Sequence, residues 1–142
     1  MAYWLIKSEP YEYSYDQLIA DGSTRWDGIR NYMARNNLRE MKKGDTLLFY
    51  HSNKGLEIVG TAKVSKTAYP DPSVDPKAKQ QDWSAVDVVP GKRLKRPISL
   101  KEVKADPILS KSNLVKYSRL SVAAFTKEEY DRVIELSKQK PE

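Results

Sequence analysis

One pair of segments constrains the fold of this chain more than any other feature. Residues 46–51 place large apolar side chains on both faces, which indicates a strand in the centre of a sheet. In residues 56–66 apolar and polar side chains alternate from Leu56 onward, with Leu56 predicted to point inward, and Gly60 interrupts the apolar face, which predicts a bulge or bend. Only a short Ser-Asn-Lys-Gly turn separates the two segments, so the strands are predicted to pair antiparallel.

Further strands and helices are predicted around this hairpin. Strands are expected at residues 3–7, 83–89 and, more weakly, 117–122, while the three prolines that follow Tyr69 predict a stiff loop. Three helix starts carry the spacing of a capping box, at Ser14 with Gln17, Ser99 with Glu102, and Thr126 with Glu129. A fourth helix is predicted over residues 31–43, with Gly44 as the left-handed residue beyond its end.

These elements predict an α+β fold. Short strands, a glycine at a bend and helices inserted between strands are typical of a small curved β-barrel with helices packed on its ends. The antiparallel hairpin fits poorly with a parallel, doubly wound sheet. With 142 residues, the whole of 1–142 is expected to form a single domain.

The composition excludes several classes of protein. The absence of cysteine removes disulfides, thiolate nucleophiles and cysteine-ligated zinc. No apolar run reaches 18 residues, and the first residues lack the pattern of a secretory signal, so neither a membrane span nor export is expected. We therefore expect a cytoplasmic protein, or a nuclear one if the source is eukaryotic, with no membrane partner.

The net charge of +6 is distributed unevenly along the chain. Eight Lys/Arg and eight Asp/Glu cancel within residues 1–60, so all of the excess lies in residues 61–142. Its densest cluster, residues 92–96, is called the basic stretch below and holds Lys92, Arg93, Lys95 and Arg96. A basic face suits a phosphate backbone, although a solvated surface unrelated to binding fits the charge equally well.

Catalytic motifs are missing from the sequence. The single histidine, His51, has no metal-ligand spacing around it, and no serine lies in a nucleophile elbow. A glycine-rich phosphate loop is also absent, and no cofactor or metal is expected. A small hydrolase using His51 remains an alternative, which would require a nucleophile beside that ring.

Aromatic and polar side chains point instead to a binding site. Three Trp and nine Tyr against two Phe suit surfaces that are apolar on one side and wet on the other, and such rings stack on nucleobases. Trp26, in a polar context, is predicted to form a stacking wall, with Tyr50 or Tyr69 opposite. The side chains predicted to contact base edges or the backbone nearby are Ser8, Asn31, Arg35, Asn36, His51, Asp71, Arg119 and Ser121, with the basic stretch holding phosphates. Arg119 fits a structural ion pair equally well.

Ten short segments, in one order from residue 4 to residue 121, resemble the EVE-domain family. They are residues 4–10, 13–14, 26–31, 34–39, 41–45, 49–52, 59–60, 69–72, 86–88 and 118–121. The segment 75–82 departs from the family pattern because it is short and rich in Lys and Gln.

The resemblance implies a PUA-like fold related to the SRA and YTH domains, which accept a modified base in an aromatic-lined pocket. It also implies non-catalytic binding of modified nucleic acid, with methylated cytosine in DNA as the leading ligand. Modified RNA, which already presents unstacked bases, is the alternative ligand. A protein-interaction module is a third possibility, favoured if Trp26 is buried in the core.

Overall fold

The computed structural model describes residues 1–139, which form a mixed six-stranded sheet with five α-helices around it. In chain order the elements are β1 (Tyr3–Ser8), α1 (Tyr15–Asp21), β2 (Thr24–Trp26), α2 (Tyr32–Glu40), β3 (Thr46–His51), β4 (Glu57–Pro70), β5 (Ser84–Ser99), α3 (Leu100–Ala105), a 3₁₀ turn (Leu109–Lys111), α4 (Asn113–Lys116), β6 (Val122–Phe125) and α5 (Lys127–Ser137). The α+β prediction is confirmed.

The strands lie in the order β2-β5-β4-β3-β1-β6. All neighbouring pairs are antiparallel except β1 and β3, which run parallel and therefore finish side by side, with Ser8 opposite His51. Within residues 1–139 the two short edge strands, β2 and β6, do not pair with each other, so the sheet is open rather than a closed barrel. Register shifts along β4 mark the bulges that bend it.

The bulge predicted at Gly60 is present, and a close contact explains it. A side chain at this position would place its Cβ 2.3 Å from Cζ of Tyr15, whose ring is fully buried on the sheet. The hydroxyl of Tyr15 donates to the carbonyl of Thr61 at 2.7 Å. Gly60 is therefore required by the seating of α1 as well as by the bend.

The predicted helix starts are confirmed. Ser14, Ser99 and Thr126 each accept a hydrogen bond from the backbone N–H three residues later, at 3.1 Å. In the described chain only Thr126 completes the reciprocal capping box, because Gln17 bonds Asp21 instead and Glu102 pairs with Arg96. The helix predicted over 31–43 is shorter and ends at Glu40, so Gly44, although left-handed, belongs to the following turn.

Several strand predictions are wrong in extent. The weak strand predicted at 117–122 is instead a turn after α4, and β6 begins only at Val122. Leu56 does not point inward, because it lies exposed in the turn with a φ of 42°. β4 continues through Pro70, and β5 extends to Ser99 and so contains the whole basic stretch.

Alternation along the strands builds two cores, one on each face of the sheet. The front core includes Trp4, Trp26 and Phe49 and is covered by α1 and α2 through Leu18 and Leu38. The back core includes Leu5, Leu48 and Tyr50 and is covered by α3, α4 and α5, which contribute Val103, Leu114 and Val133. Both apolar faces of β3 are thus buried, as its sequence predicts.

Candidate functional site

A cleft of about 840 Å³ opens where the parallel strands β1 and β3 end. Two backbone hydrogen bonds of 2.9 Å hold its floor together, from the N–H of Ser52 to the carbonyl of Ser8 and from the N–H of Lys7 to the carbonyl of Ser121. The lining residues come from four neighbouring chain segments: 7–13, 24–30, 52–53 and 118–121. Of the predicted binding residues, Ser8, Trp26, Arg119 and Ser121 lie in this lining.

Trp26 lies in the wall of the cleft but not in the polar turn that its sequence context suggests. It pairs with Val86 as the last residue of β2 and is only 8% exposed. Its ring meets Phe49 edge-on at 5.5 Å and Tyr13 edge-on at 6.2 Å. Trp26 is therefore a core residue with one edge at the cleft, which limits the ring area that a ligand can contact.

A buried carboxylate, Asp71, holds the loop that follows Trp26. Its oxygens accept from the N–H of Gly28 and from Arg30, both at 2.9 Å, and from the N–H and hydroxyl of Ser73 at 2.7 Å. Burial raises the pKa of Asp71, but the hydrogen bonds from Ser73, Arg30 and Gly28 outweigh it and bring the pKa to about 2. Asp71 does not line the cleft; it fixes the loop that does.

Charges of both signs surround the cleft. Lys7 donates to the carbonyl of Ser118 at 2.8 Å, and burial lowers the pKa of its ammonium group. Arg119 is exposed and forms no ion pair within residues 1–139. The carboxylates in the lining are Glu9, Glu12 and Asp27. The cleft thus offers cations for phosphates and carboxylates for amino groups.

His51 and Tyr50 lie next to the cleft in sequence but have structural contacts. Nε2 of His51 accepts the backbone N–H of Tyr15 at 3.1 Å, and its ring packs edge-on against Phe49. Burial lowers the pKa of His51, which favours the neutral ring that this hydrogen bond needs. Tyr50 points to the other face of the sheet and is buried in the back core. Neither side chain is brought into the lining.

The predicted residues at the start of α2 and along it lie outside the lining of the cleft. Asn31 is the helix cap, since its side chain accepts from the N–H of Ala34 at 3.0 Å. Arg35 lies over the rings of Tyr32 and Trp83 and donates to the side-chain oxygen of Asn36. These contacts satisfy the polar groups that the sequence marks as candidate ligands.

Tyr69 is also placed outside the cleft. Its hydroxyl donates to Asp87 on the neighbouring strand, and its ring lies under Lys66. Burial, followed by the bond to Asp87, raises the pKa of Tyr69 to about 12. The hydroxyl therefore stays protonated at any physiological pH.

The basic stretch lies along β5, away from the cleft lining. Arg96 makes a bidentate contact with Glu102, at 2.7 and 2.9 Å, and donates to the carbonyl of Leu136 at the end of α5. Arg93 pairs with Asp16 and lies over the ring of Tyr15. Lys92 and Lys95 are exposed and have no ion pair in the described chain.

The cleft also contains residues that sequence reasoning missed. Glu9, Tyr13, Arg30 and Asn53 line it, and the exposed ring of Tyr11 lies beside it, with its hydroxyl 3.5 Å from Asn53. Glu9 and Asn53 follow closely on the ends of β1 and β3, whereas Tyr13 and Arg30 each lie immediately before a helix cap, Ser14 and Asn31. Such positions are where a parallel pair of strands presents its loops, but the parallel pairing itself is invisible in the local pattern.

Within residues 1–139 no serine hydroxyl hydrogen-bonds to His51, and no cluster of three His, Asp or Glu side chains could hold a metal ion. None of the helices in the same range is long and apolar enough to cross a membrane.

Known proteins match this chain over almost its whole length. The EVE domain family model matches residues 2–136. Thymocyte nuclear protein 1 of Mus musculus is 40% identical over 170 residues, covering 98% of this chain and 75% of that protein. Human THYN1 protein, solved in complex with 5-methylcytosine containing DNA, is 37% identical with a TM-score of 0.91, covering 99% of this chain and 100% of that one. Protein Atu2648 from Agrobacterium tumefaciens is 42% identical with a TM-score of 0.91, covering all of both chains.

Proposed function

This chain belongs to the EVE domain family, and from that premise we propose that it is a non-catalytic domain that binds nucleic acid by accepting a modified base in the cleft. The preferred ligand is 5-methylcytosine in DNA, and residues 1–142 act as one domain. The observation that carries this proposal is the cleft itself, whose 840 Å³ suits a ligand of nucleotide size and whose lining combines apolar rings with charges of both signs.

The chemistry of the lining supports a cytosine. The amino group on cytosine N4 is a donor, and carboxylates are the acceptors that proteins use to read it. Glu9 and Glu12 supply such carboxylates within the cleft and form no ion pair in residues 1–139, whereas Asp27 is held by Arg25. The edge of Trp26 and the side chain of Ile29 supply apolar surface beside them, where a methyl group at C5 gains contact without losing a hydrogen bond.

The mouth of the cleft supports a charged backbone. We assign the phosphate next to the target base to Arg119, because this guanidinium is exposed, has no carboxylate partner in residues 1–139 and lies in the lining. Arg93 and Arg96 are less available because each holds a carboxylate. Phosphate contact through Arg119 makes binding weaken as the salt concentration rises.

Two other functions, a protein-interaction module and a hydrolase, fit the structure less well. The burial of Trp26 alone favours a protein-interaction module, but the 37% identical relative that is solved with 5-methylcytosine containing DNA supports a nucleic-acid ligand for the same fold. A hydrolase needs a nucleophile beside His51, whereas the observed hydrogen bond of this ring is to a backbone N–H.

The test is a binding panel at one fixed salt concentration. Oligonucleotides that carry a single 5-methylcytosine, a cytosine or an abasic site at the same position are compared in DNA and in RNA. We expect the methylated DNA to bind about tenfold more tightly than plain DNA, the lower range for one methyl group in an apolar pocket. Equal affinities for methylated and plain strands in both backbones would overturn the proposal, and preference for methylated RNA alone would overturn the choice of DNA.

A further inference from the structure

A second concavity lies directly beside the cleft. This groove, of about 310 Å³, is lined by Asn31, Met33, Tyr117, Ser118, Arg119 and Leu120. Two of these residues, Met33 and Tyr117, are large hydrophobic residues that are 47% and 38% exposed. Among its described lining residues Arg119 is the one charged group and none is a carboxylate, so the groove is apolar with a positive edge.

A single turn forms the wall between the cleft and the groove. The N–H of Leu120 donates to the carbonyl of Tyr117 at 2.9 Å, so Ser118 and Arg119 are the two central residues of a β-turn. Both of them line the cleft as well as the groove. Lys7 fixes this wall from the cleft side through its bond to the carbonyl of Ser118.

We propose that the groove receives the base next to the modified one, so that the domain reads a two-nucleotide step of one strand. This inference rests on the proposed function, because it requires the modified base to occupy the cleft. Two adjacent nucleotides are joined by one phosphate, so a strand that crosses the wall places that phosphate at Arg119. The single cation shared by the two concavities thus lies where the connecting charge must lie.

The chemistry of the groove suits a base whose stacking neighbour has been flipped out of the DNA. When one base leaves a stack, the adjacent base exposes the face on which the first one rested. The ring of Tyr117 offers a replacement surface, and the flexible thioether of Met33 adapts to either a purine or a pyrimidine. Lys116, whose ammonium lies 5.3 Å from the centre of the Tyr117 ring, adds positive charge beside the strand.

The experiment is a double-mutant cycle in which one change is made in the protein and the other in the DNA. The probe is duplex DNA with one 5-methylcytosine, either intact or with an abasic site at the 5′ or at the 3′ neighbour. It is titrated with the unaltered protein, with Tyr117→Ala and with Tyr11→Ala as a matched control, since Tyr11 is an exposed tyrosine next to Asn53 of the cleft and does not line the groove. Melting temperatures of the three proteins check that each variant is folded.

We expect Tyr117→Ala to weaken binding to the intact probe roughly tenfold, as for one base–aromatic stack. The same variant should have no further effect on the probe that lacks the base on one particular side, because the contact is already missing. Tyr11→Ala should show no such dependence on that side. Additive effects of Tyr117→Ala with both abasic probes, or equal dependence for Tyr11→Ala, would overturn the inference.

The outcome is separable from that of the proposed function. The ratio of affinities for methylated and plain probes with intact neighbours reports on the cleft alone. If that ratio is high but the effects of Tyr117→Ala and of each abasic neighbour are additive, only the groove is misassigned. If the ratio is one, the proposed function fails whatever the cycle shows.

Discussion

The cleft and the basic stretch carry the same number of cations but use them differently. The cleft is lined by Lys7, Arg25, Arg30 and Arg119, and the basic stretch holds Lys92, Arg93, Lys95 and Arg96. In each set two cations are ion-paired, Arg25 and Arg30 in the first and Arg93 and Arg96 in the second. Only the cleft set, however, surrounds a tryptophan edge and is bordered by exposed tyrosines.

A dense run of cations and a lined cavity are thus separate features of this surface. Arg96 faces its own protein, where it joins β5 to α3 and to the end of α5. Arg30 is also paired, but its carboxylate, Asp71, organises a loop that opens onto the cleft. An ion pair in the basic stretch therefore supports the fold, whereas the ion pair at the cleft shapes the site. Four substitutions or conditions test this contrast.

The largest effect is expected for Trp26→Ala, since the ring is buried between Phe49 and Tyr13. Removing a buried aromatic side chain should lower the free energy of unfolding by about 3–5 kcal/mol. Trp26→Phe, which refills most of the space, should lose clearly less and should still bind. Urea unfolding of both variants measures the difference. If Trp26→Ala were as stable as the unaltered protein, the wall of the cleft would not be part of the core.

Protonation of Asp71 in acid should lower the free energy of unfolding, because this carboxylate holds the loop that lines the cleft. Because its pKa is about 2 when folded and 3.8 ordinarily, the folded state gains stability that is complete above pH 4 and is lost as the pH falls towards 2. This single group accounts for about 2 kcal/mol of that loss. Unfolding measured at pH 5 and pH 2 should show a smaller difference for Asp71→Asn than for the unaltered protein. An equal difference in both would remove Asp71 from this role.

Arg96→Ala should destabilise the fold without affecting recognition. It removes two hydrogen bonds to Glu102 and two to carbonyls at and just beyond the end of α5, those of Leu136 and Gln139, in a partly exposed position, so about 1–2 kcal/mol is expected. Lys95→Ala is the matched control one residue away and should be neutral. The ratio of affinities for methylated and plain DNA should stay unchanged in both variants. A changed ratio in Arg96→Ala would place recognition at the basic stretch.

The smallest effect on stability is expected for the double variant Lys92→Ala with Lys95→Ala, whose side chains are exposed. Stability should change by no more than about 0.5 kcal/mol. Arg119→Ala should lower the slope of log affinity against log salt by about 0.9, the value for one phosphate contact, and should exceed the double variant in this respect. If the double variant reduced this salt slope more than Arg119→Ala does, the contrast between the two regions would be reversed.

Local features of the fold were predictable from the sequence, and non-local ones were not. The antiparallel pairing of β3 with β4, the bulge at Gly60 and the three capped helix starts all follow from residues close together in the chain. The parallel pairing of β1 with β3 joins residues 43 positions apart, as for Trp4 and Leu47, and leaves no periodic signal. β2 has three residues, too few for alternation to be recognised.

The candidate site was predictable only where side-chain type and strand ends coincide. Four predicted residues were placed in the cleft: Ser8 and Trp26, which end β1 and β2, Ser121, which directly precedes β6, and Arg119, which lies in the turn before that strand. Asn31 was not, because an asparagine that caps a helix and one that binds a base have the same local sequence. Arg96 could not be distinguished from a phosphate ligand either, since its partner Glu102 becomes a neighbour only after β5 turns into α3.

The position of β1 between β3 and β6 has a consequence for how the protein is made. Its register joins Tyr3 to Phe125 and Lys7 to Ser121, so the cleft is closed by segments separated by most of the chain. Pairings of such long range form slowly, because a large loop must close before any contact stabilises it. During synthesis on the ribosome, β1 therefore cannot pair with β6 until residue 125 has emerged. In refolding experiments, ligand binding should return only in the slowest phase.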